Sequence, residues 1–242
     1  MVLQLLVVNP NSSRSMTEAV ARSVAACDAF RGFAFQVRYM TGPSGAPPQI
    51  DGPEASSASC DACLAVLSDP RSEFHYARFE GLLVACFSDH PLVAALAALP
   101  QAPVVLGLLD ASVSFASLAA RGPFSIITSN VEWVKILDDS VEQQFLAGHV
   151  RRLGLWRGTV SSNLQVLELH DEANFGAIVD VIRAENVDRL GSRYVILGCA
   201  GFSGLERRLN KLFEDRGVVF LDPIVIGFQA LLGSASLLQA MR

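Results

Sequence analysis

The chain has 242 residues, 51% of them hydrophobic, enough for one large domain or two smaller ones with a substantial core, and this excludes disorder as the dominant state. Nineteen Lys and Arg against 24 Asp and Glu leave a formal net charge of −5 with no standout basic run, so nucleic acid is not an expected partner. Five cysteines, an odd number in a chain of this size, argue against a disulfide framework and for reduced thiols in the cytoplasm.

The apolar run Met1–Val8 has no basic segment before it and Asn9-Pro10-Asn11 directly after it, which reads as a buried strand and not as an export signal. Further strands are expected at Phe33–Met40, Gly81–Cys86, Pro103–Leu108, Phe124–Thr128, Gln165–Leu169, Tyr194–Gly198 and Val218–Leu221. With helices between most of them, this is the alternation of a parallel-sheet α/β architecture. Ser15-Met16-Thr17-Glu18, Ser129-Asn130-Val131-Glu132 and Ser203-Gly204-Leu205-Glu206 each fit the S-x-x-E capping box, so helices are expected to begin there. Pro91 suits the first turn of another helix, and Gly217 suits the end of the one capped by Ser203. Two uncharged stretches, Pro91–Leu109 and Pro223–Met241, approach membrane-span length. Pro100, Gln101 and Pro103 break the first, and Gln229, Ser234, Ser236 and Gln239 dilute the second, so both read as buried structure and no membrane partner is expected.

A weak internal repeat runs through the chain. In each half a first strand, Leu5–Val8 or Ser125–Thr128, leads through a polar turn into a helix, and a later strand ends in cysteine: Leu82-Leu83-Val84-Ala85-Cys86 and Val195-Ile196-Leu197-Gly198-Cys199. The repeat implies two similar lobes. Ligands of open α/β sheets bind beyond the carboxyl ends of the strands, so cysteines at those ends are expected to point into a shared crevice. The loop containing Ala46-Pro47-Pro48, Gly52-Pro53 and Ser56–Ser59 is placed to edge it.

Helix starts after Cys86 and Cys199 would favour a thiolate and a bound oxyanion. A free thiol titrates near 8.5, so one member of such a pair can act as thiolate base while the other remains a protonated acid. Two such groups on opposite faces of one carbon perform two-base racemisation without a cofactor. Isolated cysteines at strand ends also make good small core residues, and it is their paired context that singles these two out. Cys60-Asp61-Ala62-Cys63 is a lone C-x-x-C with no second pair or histidine at metal-site spacing; it and Cys27 read as structural, and no metal is expected. His90 either tunes Cys86 or sits at the surface or a helix start, and His75, His149 and His170 form no ligand cluster. There is no nucleophile elbow, dinucleotide fingerprint or P-loop, so serine-hydrolase and nucleotide-dependent chemistry lose support.

Four segments resemble the aspartate/glutamate/hydantoin racemase superfamily, in particular its hydantoin and allantoin racemase branch: Val8–Ser13 with Met16-Thr17, Ala85–Asp89, Phe124–Ser129 and Leu197–Phe202. The resemblance implies two pseudo-symmetric parallel-sheet lobes with the active site in the cleft between them. It implies Cys86 and Cys199 as the acid/base pair, and substrate contacts from Asn9, Phe87, Ser88, Thr128, Ser129, Ala200, Gly201 and Phe202. Pro47 and Ile50 fall in the stretch closest to the family's Gly-Pro-x-x-Ile loop element, with Ala46 in place of the glycine. Ser88-Asp89-His90-Pro91 and Phe202 depart from the family pattern at the pocket wall. The last strand and helix are expected to return to the first lobe, giving one lobe of residues 1–115 plus 218–242 and another of 116–217.

The function so implied is cofactor-independent racemisation or epimerisation of a 5-substituted hydantoin, allantoin or similar cyclic amide through an enolate-like intermediate. The partner is a small carbonyl or ureide substrate, and the apolar content is compatible with a homo-oligomer. Two alternatives stay open: a non-catalytic small-molecule-binding protein, and a single-thiol decarboxylase or isomerase of the same superfamily.

Overall fold

The computed structural model describes residues 2–119, 121–147 and 154–241; His149 lies outside them. The chain divides into two compact units, Met1–Leu108 with Ile224–Arg242, and Leu109–Pro223. The first unit is built on a parallel sheet of β1 (Leu3–Asn9), β2 (Phe35–Thr41), β3 (Gly81–Val84) and β4 (Val104–Gly107), in the order β2-β1-β3-β4. β1 and β3 lie centrally, and Leu5 to Val8 and Leu82 to Val84 are buried almost completely, as continuous apolar runs in a sheet covered on both faces must be. Helices α1 (Arg14–Ala25), α2 (Pro53–Leu67) and α3 (Pro91–Ala97) connect these strands.

One core cluster of this unit joins Leu6, Val8, Leu82 and Val84 to Cys60, Cys63 and Leu67 of α2 and Leu92 and Leu96 of α3. The C-terminal helix, Pro223–Ala240, supplies further packing: Phe228 meets Phe30 and Phe35 edge-on, at centroid distances of 4.9 and 5.3 Å. Each such fully buried large side chain stabilises the fold by roughly 1.5–3 kcal/mol. By length and composition this helix is also apolar enough to cross a membrane; its Ile224, Phe228, Leu231, Leu232 and Ala235 are buried in the protein. Gly81 and Gly227 let it approach, because a Cβ would stand 2.8 Å from Leu231 Cδ1 at the first and 2.9 Å from Leu108 Cδ2 at the second.

Helix α4 (Leu108–Ala119) follows β4 and leads to the second sheet, β5 (Phe124–Thr128), β6 (Trp156–Ser161), β7 (Tyr194–Leu197) and β8 (Val219–Leu221), in the order β6-β5-β7-β8. The two sheets share one strand permutation. Helix α5 (Glu132–Ser140) runs on into a π-helical turn, Val141–Phe145; α6 (Phe175–Val181) does the same over Ile182–Arg189; α7 (Glu206–Leu212) precedes β8.

Three sequence expectations are corrected. Gln165–Leu169 is not a strand: the Glu168 carboxylate accepts the Gln165 N–H at 2.7 Å and the chain winds into a 3-10 turn, Val166–His170, burying Val166 and Leu169 three residues apart on one side. The strand there is β6, masked in sequence by Arg157 and by Gly158, whose φ of +102° accompanies a register irregularity against β5. Ser15, Ser129 and Ser203 do not stand at the N-cap positions, which fall on Ser13, Val131 and Leu205. α1 begins at Arg14, one residue ahead of Ser15, while α5 and α7 begin at Glu132 and Glu206, so each of those glutamates is a first helical residue, too early to reach back from the third. Finally, the strand near Val218–Leu221 stays with the second sheet. Val219 N–H donates to Arg193 O at 2.9 Å, and Asn210 of α7 brackets Phe220, accepting its N–H at 2.9 Å and donating to its carbonyl at 3.3 Å. Only the helix after it returns. Pro91 does open α3, and Gly217, at φ +61°, does stop the chain after α7.

Candidate active site

In the first unit, β1 ends in Asn9, whose side chain organises the turn that follows. Its Nδ2 lies 2.9 Å from Asn11 Oδ1 and 3.0 Å from both Ser13 O and Thr17 Oγ1, so two amide hydrogens serve three acceptors, and its Oδ1 accepts Asn11 N–H at 3.4 Å. Thr17 Oγ1 is in turn 2.7 Å from Thr41 Oγ1 at the end of β2. The next loop folds onto the same turn. Gly42 N–H donates to the carbonyls of Asn9 and Asn11 at 2.8 and 2.9 Å, and a Cβ at Gly42 would lie 2.6 Å from Pro10 O. Pro47 O accepts Ser12 N–H at 2.9 Å, and Ile50 is buried. Asn9 and Pro47 are therefore brought together at the carboxyl edge of the sheet.

Cys86 lies beside them, since β3 pairs with β1 and Ala85 N–H donates to Val8 O at 2.8 Å. Beyond that bond the chain leaves the sheet. Among the described residues the backbone N–H groups of Cys86, Phe87 and Ser88 find no acceptor in the protein. Three successive free donors at a strand end are suited to a negatively charged oxygen. Phe87 and Ser88 are buried, Cys86 is partly accessible, and its Sγ is 3.5 Å from Ser88 Oγ. Burial pushes the Cys86 thiol up to about 11 against a smaller opposing pull from the Ser88 hydroxyl, so at neutral pH Cys86 rests protonated.

In the second unit β5 ends in Thr128, whose hydroxyl donates to Gly198 O at 3.3 Å and so ties this strand end to that of β7. The Ser129 carbonyl accepts two hydroxyls, from Ser161 and Ser162, each at 2.9 Å, and Ser162 N–H donates to Thr128 O at 2.9 Å. The Ser129 hydroxyl is engaged by Asn130 Oδ1 at 2.8 Å. Cys199 follows Gly198, whose N–H bonds Ile127 O at 2.7 Å. Its turn closes into a 3-10 helix, Ala200–Phe202: Phe202 N–H donates to Cys199 O at 3.0 Å, and Cys199 Sγ accepts the Gly201 N–H at 3.3 Å. Gly201 is pressed against the strap formed by the 3-10 turn at Val166, since a Cβ there would lie 2.7 Å from Val166 O and 2.8 Å from Leu169 Cδ1. Ala200 is buried and the Phe202 side chain fully so.

Sequence reasoning missed Ser161 and Ser162, which hold the Ser129 turn; their signal was a serine pair closing a strand that was itself overlooked. It also missed Ser59, the partner of His90. All five cysteines are outside any disulfide. Cys60 and Cys63 sit in the apolar cluster under α2, and burial pushes Cys63 up to about 12 and Cys60 in the same direction. Among the described residues no group of three or more His, Cys, Asp or Glu is placed to hold a metal ion. The strand-end turns, residues 9–13, 42–50, 85–91, 128–131, 161–166 and 198–205, contain no Lys or Arg.

A family model described as Asp/Glu/hydantoin racemase matches residues 5–231. The chain is 48% identical over 237 residues to Protein DCG1 of Saccharomyces cerevisiae, covering 96% of each chain. It is 29% identical over 228 residues to hydantoin racemase of Paenarthrobacter aurescens, covering 92% of this chain and 86% of that one. Among solved structures, allantoin racemase from Klebsiella pneumoniae superposes with a TM-score of 0.76 at 23% identity, over 99% of this chain and 88% of that one.

Proposed function

Because the chain belongs to the Asp/Glu/hydantoin racemase family, we propose that it is a cofactor-independent racemase or epimerase acting on an uncharged cyclic amide, such as a 5-substituted hydantoin or allantoin. The observation that carries the proposal is the equivalence of the two cysteine turns: each follows the third-ordered strand of a sheet with the same permutation, beside the polar turn that ends the central strand. In one direction the Cys199 thiolate removes the proton from the stereocentre, the electron pair moves onto the neighbouring carbonyl oxygen, and the Cys86 thiol returns a proton to the opposite face. The thiol and thiolate have then exchanged roles, and the reverse reaction restores them. The backbone donors of residues 86–88 would hold the enolate oxygen, each contributing on the order of 3 kcal/mol in a water-poor site.

The absence of Lys and Arg from the strand-end turns favours a neutral ureide over an amino-acid dicarboxylate, whose charges would lack formal partners there. The test is proton NMR in deuterium oxide with each enantiomer of 5-benzylhydantoin and of allantoin, followed together with optical rotation. Loss of the stereocentre proton with racemisation, abolished in Cys86→Ser and Cys199→Ser, is the expected result. Saturable binding with no exchange beyond the uncatalysed control would instead assign a binding role, and a single-cysteine variant that inverts both enantiomers at the native rate would remove the two-thiol mechanism.

A further inference from the structure

We propose that His90 is a positioning residue for Cys86: tied to Ser59 of α2, its imidazole anchors the far end of the turn that carries the thiol and the row of unengaged N–H groups. The inference rests on the racemase reading for its catalytic meaning, but its geometry stands independently. The turn from Ala85 to Pro91 is held to the sheet at its start by the Ala85 N–H bond to Val8 O. Among the described residues Cys86, Phe87 and Ser88 make no backbone bond of their own through N–H, so the anchor at the far end bears directly on where they point.

That end is His90. It is 1% exposed, and both ring nitrogens are engaged: Nδ1 accepts the Leu92 N–H at 3.2 Å, capping α3, and Nε2 is 2.9 Å from Ser59 Oγ. An acceptor at Nδ1 requires the proton on Nε2, so Nε2–H donates to Ser59 Oγ, and the Ser59 hydroxyl in turn donates to Ser56 O at 2.9 Å. The chain of donors has one direction and ends on the backbone of α2, a helix whose Cys60, Cys63 and Leu67 are packed into the core under β1 and β3. Ser59 is fully buried, so water does not substitute for the imidazole without a rearrangement. The Cys86 turn is thus referenced to the same rigid layer as the sheet, by a side chain that does not itself touch the sulfur.

Ser59→Ala and His90→Asn both cut the bridge; the asparagine retains a capping acceptor for α3, and the alanine leaves the histidine cap in place. The first readout needs no substrate: iodoacetamide labelling of the full-length protein at fixed pH, with each cysteine followed by mass spectrometry. Cys86 is expected to label about tenfold faster in either variant as its turn loosens and becomes hydrated, with Cys199 unchanged as the internal reference. The second readout is exchange against inversion in deuterium oxide. kcat is expected to fall about tenfold with KM within twofold, and one enantiomer is expected to exchange its proton more often than it inverts. Cys86 labelling unchanged in a Ser59→Ala protein that remains folded overturns the positioning role, whatever the substrate proves to be. So does an equal loss of exchange and inversion for both enantiomers, the mark of a merely structural effect. Failure of the racemase reading is separable, because it abolishes exchange in the native protein and leaves the labelling comparison intact.

Discussion

The Cys86 and Cys199 turns occupy equivalent places in two sheets of the same permutation, yet they are built on opposite plans. The Cys199 turn is closed on itself, with its sulfur accepting a backbone donor, its carbonyl accepting another and its glycine wedged against Val166 and Leu169. The Cys86 turn is open. Among the described residues the N–H groups of Cys86, Phe87 and Ser88 have no acceptor and the Cys86 sulfur meets only the Ser88 hydroxyl, and the turn's order is supplied from outside by His90. Equivalent topology therefore delivers two thiols in different surroundings, one in a turn held by its own bonds and the other in a turn anchored from outside.

The largest expected effect comes from deleting each thiol. Racemisation should fall by roughly 10²–10⁴ in either serine variant, the usual size of a general acid–base contribution. Exchange should outlast inversion: each serine variant keeps one thiol and should still wash deuterium into one enantiomer without inverting it, Cys199→Ser slowly because burial pushes the remaining Cys86 thiol up to about 11. Inversion of both enantiomers by either variant would break the pairing of the two turns.

Next comes acid sensitivity. Burial lowers His90 from its ordinary value to about 4, with Asp89 opposing more weakly. A folded-state value below the unfolded one means that the unfolded chain binds the proton first, so the stabilisation is complete above about pH 6.5 and is lost as pH falls towards 4, amounting to roughly 3 kcal/mol for a shift of this size. Protonation also places a hydrogen on Nδ1, where the Leu92 N–H must donate. Denaturant unfolding between pH 7 and pH 4 should show this slope in the native protein and a flatter one in His90→Asn, and amide exchange should open residues 85–92 ahead of 198–205. Parallel slopes in the two proteins would show that the anchor does not titrate.

A third contrast lies in the two glycines that let other segments press on the turns. Gly201→Ala puts a Cβ 2.7 Å from Val166 O, and Gly42→Ala puts one 2.6 Å from Pro10 O; in both cases the obstacle is backbone, which cannot swing aside. Each is expected to cost about 1–3 kcal/mol of stability. They should differ in activity. Gly201 supplies the N–H to Cys199 and its displacement should lower kcat, while Gly42 acts on the Asn9 turn and its replacement should weigh more on KM. A kcat loss shared equally by both would remove the distinction.

Much of this was legible in the sequence because parallel strands buried on both faces cannot alternate. Leu5–Val8, Leu82–Val84 and Val195–Leu197 stand out as apolar runs, Ile126-Ile127 marks the fourth strand, and each cysteine follows the later strand of its half at the same remove. What stayed hidden depends on partners distant in sequence or on single backbone angles. β6 is an edge strand interrupted by Gly158 at positive φ, and the three-residue β8 is assigned to its sheet by Asn210 and Arg193, not by anything within Val219–Leu221. Asn9 illustrates a subtler gap. The resemblance gives it to the substrate, and the hydrogen bonds add a role that the sequence does not announce, holding the turn through Asn11, Ser13 and Thr17. The Ser59–His90 bridge joins residues 31 apart, and neither residue suggests the other.

The smallest expected effect tests whether the Thr128–Ser129 turn is as firmly set as the Asn9 turn opposite it in the repeat. The Asn9 turn is tied by one amide with several partners, while the Ser129 carbonyl is held by two hydroxyls from adjacent residues. Ser162→Ala removes the more buried of the two, leaves the Ser161 bond in place and creates no unsatisfied donor, so about 1 kcal/mol of stability should be lost with little change in kcat. The double variant Ser161→Ala/Ser162→Ala leaves that buried carbonyl without either hydroxyl, and its loss should exceed the sum of the single ones. Additive losses in a double-mutant cycle would mean that the two hydroxyls act independently and that the turn is held by the Ser162 N–H bond to Thr128 O instead.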